Sequence, residues 1–464
     1  SQIVYGKRQG DRAELETAVG GVNTCTVTNI ADRKSRQMLH RAKQKNPAAL
    51  VVAVGCYVQT GREDVEQDPC IDLAIGNNRK KDLASILEEY LQDLEQEDAV
   101  AENAENAGHG VDKTLHDTTV IDINHTAEYE EMTLKQTAEH TRAYIKIQDG
   151  CNQFCSYCVI PYARGRVRSR RAEDIIREIT GMAQNGYREI VLTGIHISSY
   201  GIDFDEEAWK RGESVSVLKE DEERRDYSGS SKLINLLERI HDIEGIERIR
   251  IGSLEPRIIT EETAARMAAL PKLCPHFHLS LQSGCDATLR RMNRKYTSEE
   301  YAESVALLRK VFDHPAITTD VIVGFPGETK EEFAQTKEFL DRIQFFEMHI
   351  FKYSKRAGTR AAVMSHQVPD PVKTTRSAEL LAMEKEQSKQ FRTHYVGREA
   401  EVLLEETKEI GGMEYLLGHT RDYVKLAVSV KENKKNVANT VICGRVQGFL
   451  TDEILLLSPL EFSK

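Results

Sequence analysis

No stretch of eighteen or more consecutive apolar residues occurs in the 464 residues, and the opening SQIVYGKRQGDRAELE holds no apolar signal core. The expectations are no membrane-spanning helix, no secretion and a cytoplasmic location. A dense disulfide framework is missing too: the nine cysteines are odd in number and spread over a long chain, so reduced thiols, available as ligands, are expected. Only one C-x2-C pair is present and no H-x3-H pair accompanies it, which argues against a structural zinc site closed by four ligands. Excess positive charge is lacking as well. With 63 Lys and Arg against 74 Asp and Glu, the net charge of -11 argues against indiscriminate nucleic-acid binding, although a net charge averages over patches.

What is present reads as three domains. Between about 140 and 355, within a domain placed at 140 to 390, short apolar runs alternate with helix-period segments. The strand candidates are AYIKIQD (143 to 149), EIVLTGIHI (189 to 197), RIRIGSL (248 to 254), FHLSLQS (277 to 283), TTDVIVGF (318 to 325) and FEMHIFKYS (346 to 354). Six strands separated by helices imply parallel βαβ units, in an open sheet or a full or partial barrel, with the active site at the C-terminal strand ends. Residues 1 to 95 form a smaller α/β domain with strands LVVAVGC and IDLAIGN. Residues 391 to 464 read as short alternating strands with glycine-marked turns, a small β-barrel whose charges nearly balance. Two acidic, apolar-poor segments, 92 to 110 and 203 to 231, read as mobile linkers or insertions; most of the first falls in a linker placed at 96 to 139.

The stretch GCNQFCSYCVIPYARGRVRSR, 150 to 170, carries the chemistry. Cys151, Cys155 and Cys158 form C-x3-C-x2-C, and three thiolates so close can wrap a four-iron cluster while leaving one iron open to a small molecule. Arg164, Arg166, Arg168 and Arg170 follow at every second position. If extended, as Pro161 and Gly165 suggest, they would share one face over about 20 Å at roughly 3.3 Å per residue, enough to follow a phosphate backbone. A solvated charged loop is the plainer alternative.

The triplet, with Tyr157 before its last cysteine, resembles the radical S-adenosylmethionine (radical SAM) superfamily. LTGIHISSYG (192 to 201), IGSLEP (251 to 256), HLSLQSG (278 to 284) and TTDVIVGFPGET (318 to 329), in that order, are similar to segments of its methylthiotransferase branch. The resemblance implies an N-terminal methylthiotransferase domain, a central partial (β/α)6 barrel and a C-terminal small β-barrel of the TRAM type, an RNA-binding module. It also implies S-adenosylmethionine bound to a [4Fe-4S] cluster on Cys151, Cys155 and Cys158, and its cleavage to a radical that removes hydrogen from an unactivated C-H bond. Cofactor contacts would come from Tyr157, Thr193, Gly194, Glu255, Gly324, Gly327 and Glu328.

NTCTVTNIADRKSRQ around Cys25 and VVAVGCYVQT around Cys56 resemble the domain that holds the family's second, auxiliary [4Fe-4S] cluster on three cysteines. The first of those, in a GCKVN-like segment, has no counterpart before Cys25, and AVGG replaces an apolar strand there. Either that segment lies outside this sequence or the cluster is bound differently. Cys70 is an available substitute but is better explained by packing beside Ile71 and Leu73, as are Cys274, Cys285 and Cys443 by their own surroundings.

YARGRVRSR and ADRKSRQ look most like the branch that modifies N6-threonylcarbamoyladenosine (t6A) at position 37 of tRNA, whose anticodon loop suits base readout. The implied partners are tRNA and an electron donor such as flavodoxin or ferredoxin, with no membrane and a monomeric chain. The alternatives are isopentenyladenosine-37 of tRNA, a ribosomal-protein aspartate, or, further off, a non-catalytic iron-sulfur or RNA-binding protein.

Overall fold

Apolar runs and helix-period segments fold in the alternation expected, in a computed structural model that describes residues 3–6, 19–26, 29–102, 117–126, 128–131, 141–204, 228–431 and 438–460. Two compact units result. One gathers Ser1–Met132, Gly150–Arg166 and Ser354–Ala362; the other gathers Thr133–Asp149, Val167–Tyr353 and Val363–Lys464. The cysteine loop therefore packs with the N-terminal residues, which a division of the sequence at 95 and 140 does not convey.

In the first unit the sheet order is β1 (Ile3–Gly6), β2 (Val19–Thr24), β3 (Leu50–Gly55), β4 (Leu73–Ile75), β5 (Asp117–Thr119). β1 is antiparallel to β2 and the rest are parallel. LVVAVG in β3 is buried throughout, as a strand covered on both faces must be. Val51 and Ala53 pack against Leu39 and Ala42 of helix Asn29–Lys45, while Leu50, Val52 and Val54 pack against Ile86 and Tyr90 of helix Leu83–Glu102. Two expectations change. The AVGG segment does form part of a strand, because main-chain pairing with β1 and β3 does not depend on apolar side chains. The stretch 96 to 139 is not simply a linker: its Glu, Gln and Ala residues carry the helix on to Glu102, and Asp117–Thr119 joins the sheet. Residues 103–116, 132–140 and, in the second acidic segment, 205–227 lie outside the described residues.

The second unit contains β6 (Arg142–Asp149), β7 (Arg168–Ser169), β8 (Glu189–Gly194), β9 (Arg248–Ile251), β10 (His276–His278), β11 (Ala316–Val323) and β12 (Glu347–Lys352). All but β7, which pairs antiparallel on the edge of β6, run parallel in chain order. Single parallel bridges, Ile249–Leu273 and Leu254–Leu279, join β9 to the β10 region and complete a six-stranded partial barrel. Thr260, Thr297 and Thr329 start three of its helices with reciprocal capping boxes. The period of two sorts the strand side chains: Ile145, Ile190, Leu192, Ile249, Phe277, Ile317 and Val321 turn outward into one core with the helices. Their neighbours in sequence face inward.

β13 (Glu399–Ile410), β14 (Met413–His419), β15 (Lys425–Ser429), β16 (Val441–Phe449) and β17 (Leu455–Pro459) close into a small barrel around Val402, Leu404, Leu426 and Leu457. Among the described residues no helix is long and apolar enough to cross a membrane.

Candidate active site

The cysteine loop is tightly closed. Gly150 adopts φ +71°, and a Cβ there would lie 1.7 Å from the Arg166 carbonyl oxygen, so only glycine fits. Cys151 N-H donates to Gly165 O at 3.0 Å, Cys158 N-H to Cys155 O at 2.9 Å, and Ala361 N-H to Ser156 O at 2.7 Å. Cys151 is buried; Cys155, Tyr157 and Cys158 are half-buried. The loop thus presents three thiols from one rigid turn, the donor set a cuboidal iron-sulfur cluster needs.

The four arginines after it do not form a strip. Ile160–Arg164 is a helix with Pro161 in its first turn, where the missing N-H is no loss, so this proline starts a helix rather than preventing one. Arg164 ends that helix and donates through Nε to Cys56 Sγ at 3.1 Å. Arg166 is exposed, its guanidinium 4.5 Å from the centre of the Phe154 ring. Arg168 is 2% exposed with Asp149 at 3.8 Å, and Arg170 pairs with Glu178, both buried. The expected one-sided phosphate track is corrected: burial withdraws two of the four guanidiniums from any surface.

The parallel register of the N-terminal sheet sets Thr24 beside Gly55 and Val54 beside Ile75, so Cys25, Cys56 and Asn77 emerge at neighbouring strand ends. Asn77 Nδ2 donates to Ala163 O at 2.6 Å and lies 3.5 Å from Cys56 Sγ. Two donors aimed at one sulfur suit a thiolate ligand, whose charge they offset. Beside Cys25, whose side is exposed, Arg356 donates to Asn29 Oδ1 and Asp32 Oδ2, each at 2.6 Å, and to Thr26 Oγ1. Cys70 precedes β4 at the opposite end of the strands, next to His40 and Asp68, so it is neither a substitute ligand for the Cys25 and Cys56 pair nor simply packed apolar surface. Cys274 and Cys285 are buried, and Cys443 is half-buried.

In the second unit, Thr193, Gly194, Glu255 and Gly324 all stand at or just beyond C-terminal strand ends, where barrel active sites form. A Cβ on Gly194 would meet Gln148 O at 3.0 Å. Glu255 is 2% exposed; its N-H donates to Ser198 Oγ at 2.8 Å and its carboxylate lies 3.4 Å from His196 Nε2. Gly324 and Gly327 take φ of +71° and +79° in the turn after β11. Glu328 closes that turn by accepting from Gly324 N-H at 2.7 Å and from Arg376. Burial pushes its carboxyl up, against these two donors. Its contacts make it a brace for the turn rather than a direct cofactor ligand.

Sequence reasoning missed the inner wall of the barrel. Facing inward are Arg142, Tyr144, Lys146, Glu189, Arg248, Arg250, His276, His278, Thr318, Asp320, Glu347, His349 and Phe351, opposite in parity to the apolar outer residues. At the floor, the C-terminal barrel inserts the end of β14 and the turn after it: Arg248 Nη1 donates to His419 O at 3.0 Å, Arg250 Nη1 to Arg421 O at 2.9 Å and Arg142 Nη1 to Tyr423 Oη at 3.0 Å. Glu189, 1% exposed, sits among the three arginines, 3.0 Å from Arg250. Burial, reinforced by Arg250, pushes the His276 imidazole well below its usual range. Higher up, His278, Asp320 and His349 from three adjacent strands bring their nitrogen and oxygen atoms within 4.8 Å of one another. The signal was available: in FHLSLQS, TTDVIVGF and FEMHIFKYS these residues hold the polar phase of an apolar alternation.

Comparisons with known proteins agree with this layout. Residues 145–340 match the radical SAM superfamily and residues 9–76 match the family described as Uncharacterized protein family UPF0004. The threonylcarbamoyladenosine tRNA methylthiotransferase MtaB of Bacillus subtilis is 36% identical over 413 residues, covering 89% of this chain and 82% of that one. Its Aquifex aeolicus counterpart is 37% identical over 389 residues, 84% of each chain. A tRNA-2-methylthio-N(6)-dimethylallyladenosine synthase of Thermoanaerobacter sp. is 36% identical over 389 residues, 82% of this chain and 73% of that one. The solved radical S-adenosylmethionine methyltransferase TsrM of Kitasatospora setae shares the fold, with TM-score 0.51 at 15% identity over 74% of this chain and 66% of that one.

Proposed function

This chain belongs to the tRNA methylthiotransferase family of radical SAM enzymes, and from that premise we propose that it places a methylthio group on C2 of t6A at position 37 of tRNA. The family works with S-adenosylmethionine, a [4Fe-4S] cluster and a second cluster. When bound, these supply the methyl group and the radical that takes hydrogen from an unactivated C-H bond, which no side-chain acid or base can do. In this reading Cys151, Cys155 and Cys158 hold the radical cluster and Cys25 and Cys56 contribute to the auxiliary one, supported by the closed loop and the adjacent strand ends. Tyr157, Thr193, Gly194, Glu255, Gly324 and Gly327 position the cofactor, and Glu328 holds the turn that carries the last two. Arg166, stacked on Phe154 beside exposed Tyr162, and the C-terminal barrel are the RNA contacts in this reading. In this reading an electron donor such as flavodoxin or ferredoxin reduces the enzyme, which acts as a cytoplasmic monomer.

The observation that carries the choice of t6A is the polar inner wall. A threonylcarbamoyl group brings a carboxylate, a hydroxyl and ureido N-H groups, each costing about 1–3 kcal/mol if buried without a partner, and this wall supplies partners. A dimethylallyl group would instead desolvate His349 and Asp320 without offering either a polar partner. The test is anaerobic incubation of the reconstituted protein with t6A-containing tRNA, S-adenosylmethionine and a reductant, followed by nucleoside mass spectrometry. Conversion of t6A to its 2-methylthio derivative is expected; conversion of isopentenyladenosine alone would assign the other branch.

A further inference from the structure

We propose that His278, Asp320 and His349 form the subsite that recognises the amino-acid substituent on N6 of the target adenine, and so set the enzyme's specificity. The inference rests on the t6A reading and adds the residues that enforce it. The three come from successive strands β10, β11 and β12, with Thr318 level with His278 and His349 level with Asp320 in the parallel register. All three point to the same inner face of the partial barrel.

His278 is held at both ring nitrogens: Nδ1 hydrogen-bonds Thr318 Oγ1 at 3.0 Å and Nε2 lies 3.3 Å from Asp320 Oδ2. The His349 ring stacks on it with centroids 5.8 Å apart and 27° between planes, and it is exposed to the lumen. Phe351, two residues on from His349 along the edge strand β12, is 48% exposed, and Tyr144 on the inner face of β6 is 49% exposed, aromatic surfaces suited to a planar base. The division of labour follows from donor and acceptor chemistry. His349 donates a ring N-H to the substituent's carboxylate, and Asp320, its charge partly met by His278, accepts from the hydroxyl or a ureido N-H. An apolar isoprenoid substituent would desolvate these groups without giving the His349 ring or the second Asp320 oxygen a partner, the situation in which a polar site discriminates most strongly.

The test uses the reconstituted full-length protein with anticodon stem-loops carrying t6A or isopentenyladenosine. His349→Phe keeps a planar ring at an exposed position and removes the N-H. The expected result is a fall in kcat/KM on t6A of about ten- to a hundredfold, mainly through KM, since a polar contact to the bound substituent is lost. The far-ultraviolet circular dichroism and the urea-unfolding midpoint of His349→Phe should match those of the wild type, which a general loss of structure would not allow. Asp320→Asn, which keeps shape, should also raise KM for t6A. If the wild type converts t6A and His349→Phe does so equally well, the subsite assignment fails alone. If the wild type converts only isopentenyladenosine, the t6A reading falls and takes the subsite with it. A stoichiometric metal other than iron, lost on replacing His349 and required for turnover, would overturn the assignment in favour of a metal site.

Discussion

Two groups of arginines separate what alternation in a sequence can and cannot show. Arg164, Arg166, Arg168 and Arg170 advertise themselves by spacing beside a cysteine loop, yet they end up on a helix, over an aromatic ring and in two buried ion-paired positions. Arg142, Arg248 and Arg250 stand in unremarkable strands, yet they converge on one buried glutamate and fasten the C-terminal barrel beneath the lumen. The difference lies in the partners. A guanidinium is placed by the carboxylates and carbonyls that meet it, and those come from chain-distant segments that spacing does not report.

The comparison breaks most clearly at Glu189. Glu189→Gln takes from buried Arg250 its ion-pair partner, while Arg142 and Arg248 keep Glu405 and Glu401, and a loss of about 3–5 kcal/mol is expected, because removing one partner of a buried pair strands the other. Urea unfolding of the second unit, followed by fluorescence, checks it; an unchanged midpoint would mean the floor is held by the apolar contacts alone. A smaller effect is expected at Arg170→Ala, about 3 kcal/mol in the same assay, with RNA affinity of the folded protein untouched. Weakened RNA binding there at full stability would restore the phosphate-track idea. The smallest change in stability belongs to exposed Arg166→Ala, within about 0.5 kcal/mol. There the slope of log K against log salt for RNA binding should drop by about 1, as for one lost phosphate contact.

Much of this molecule is legible in its sequence, for identifiable reasons. Alternating apolar strands and capped helices announce the barrel because period and capping are local, and Gly150 through Cys158 announce their loop because glycine and thiols at that spacing have few other uses. Asn77 was not legible as a companion of Cys56, since only the register of β3 on β4 brings them together. Nor was the joining of 150–166 to the N-terminal unit, which puts all five candidate cluster cysteines in one body. His278, Asp320 and His349 fall between these cases: their inward phase is visible residue by residue, but their meeting depends on strands pairing in register across intervals of about thirty and forty residues.

The central claim is that the polar lumen selects a polar N6 substituent. It is tested most directly by competition, with t6A and isopentenyladenosine stem-loops at equal concentration in one anaerobic reaction and both products counted by mass spectrometry. With a lumen selective for a polar substituent, 2-methylthio-t6A is expected to dominate and His349→Phe to erode the preference. Equal conversion of both, or a preference for isopentenyladenosine, would contradict it.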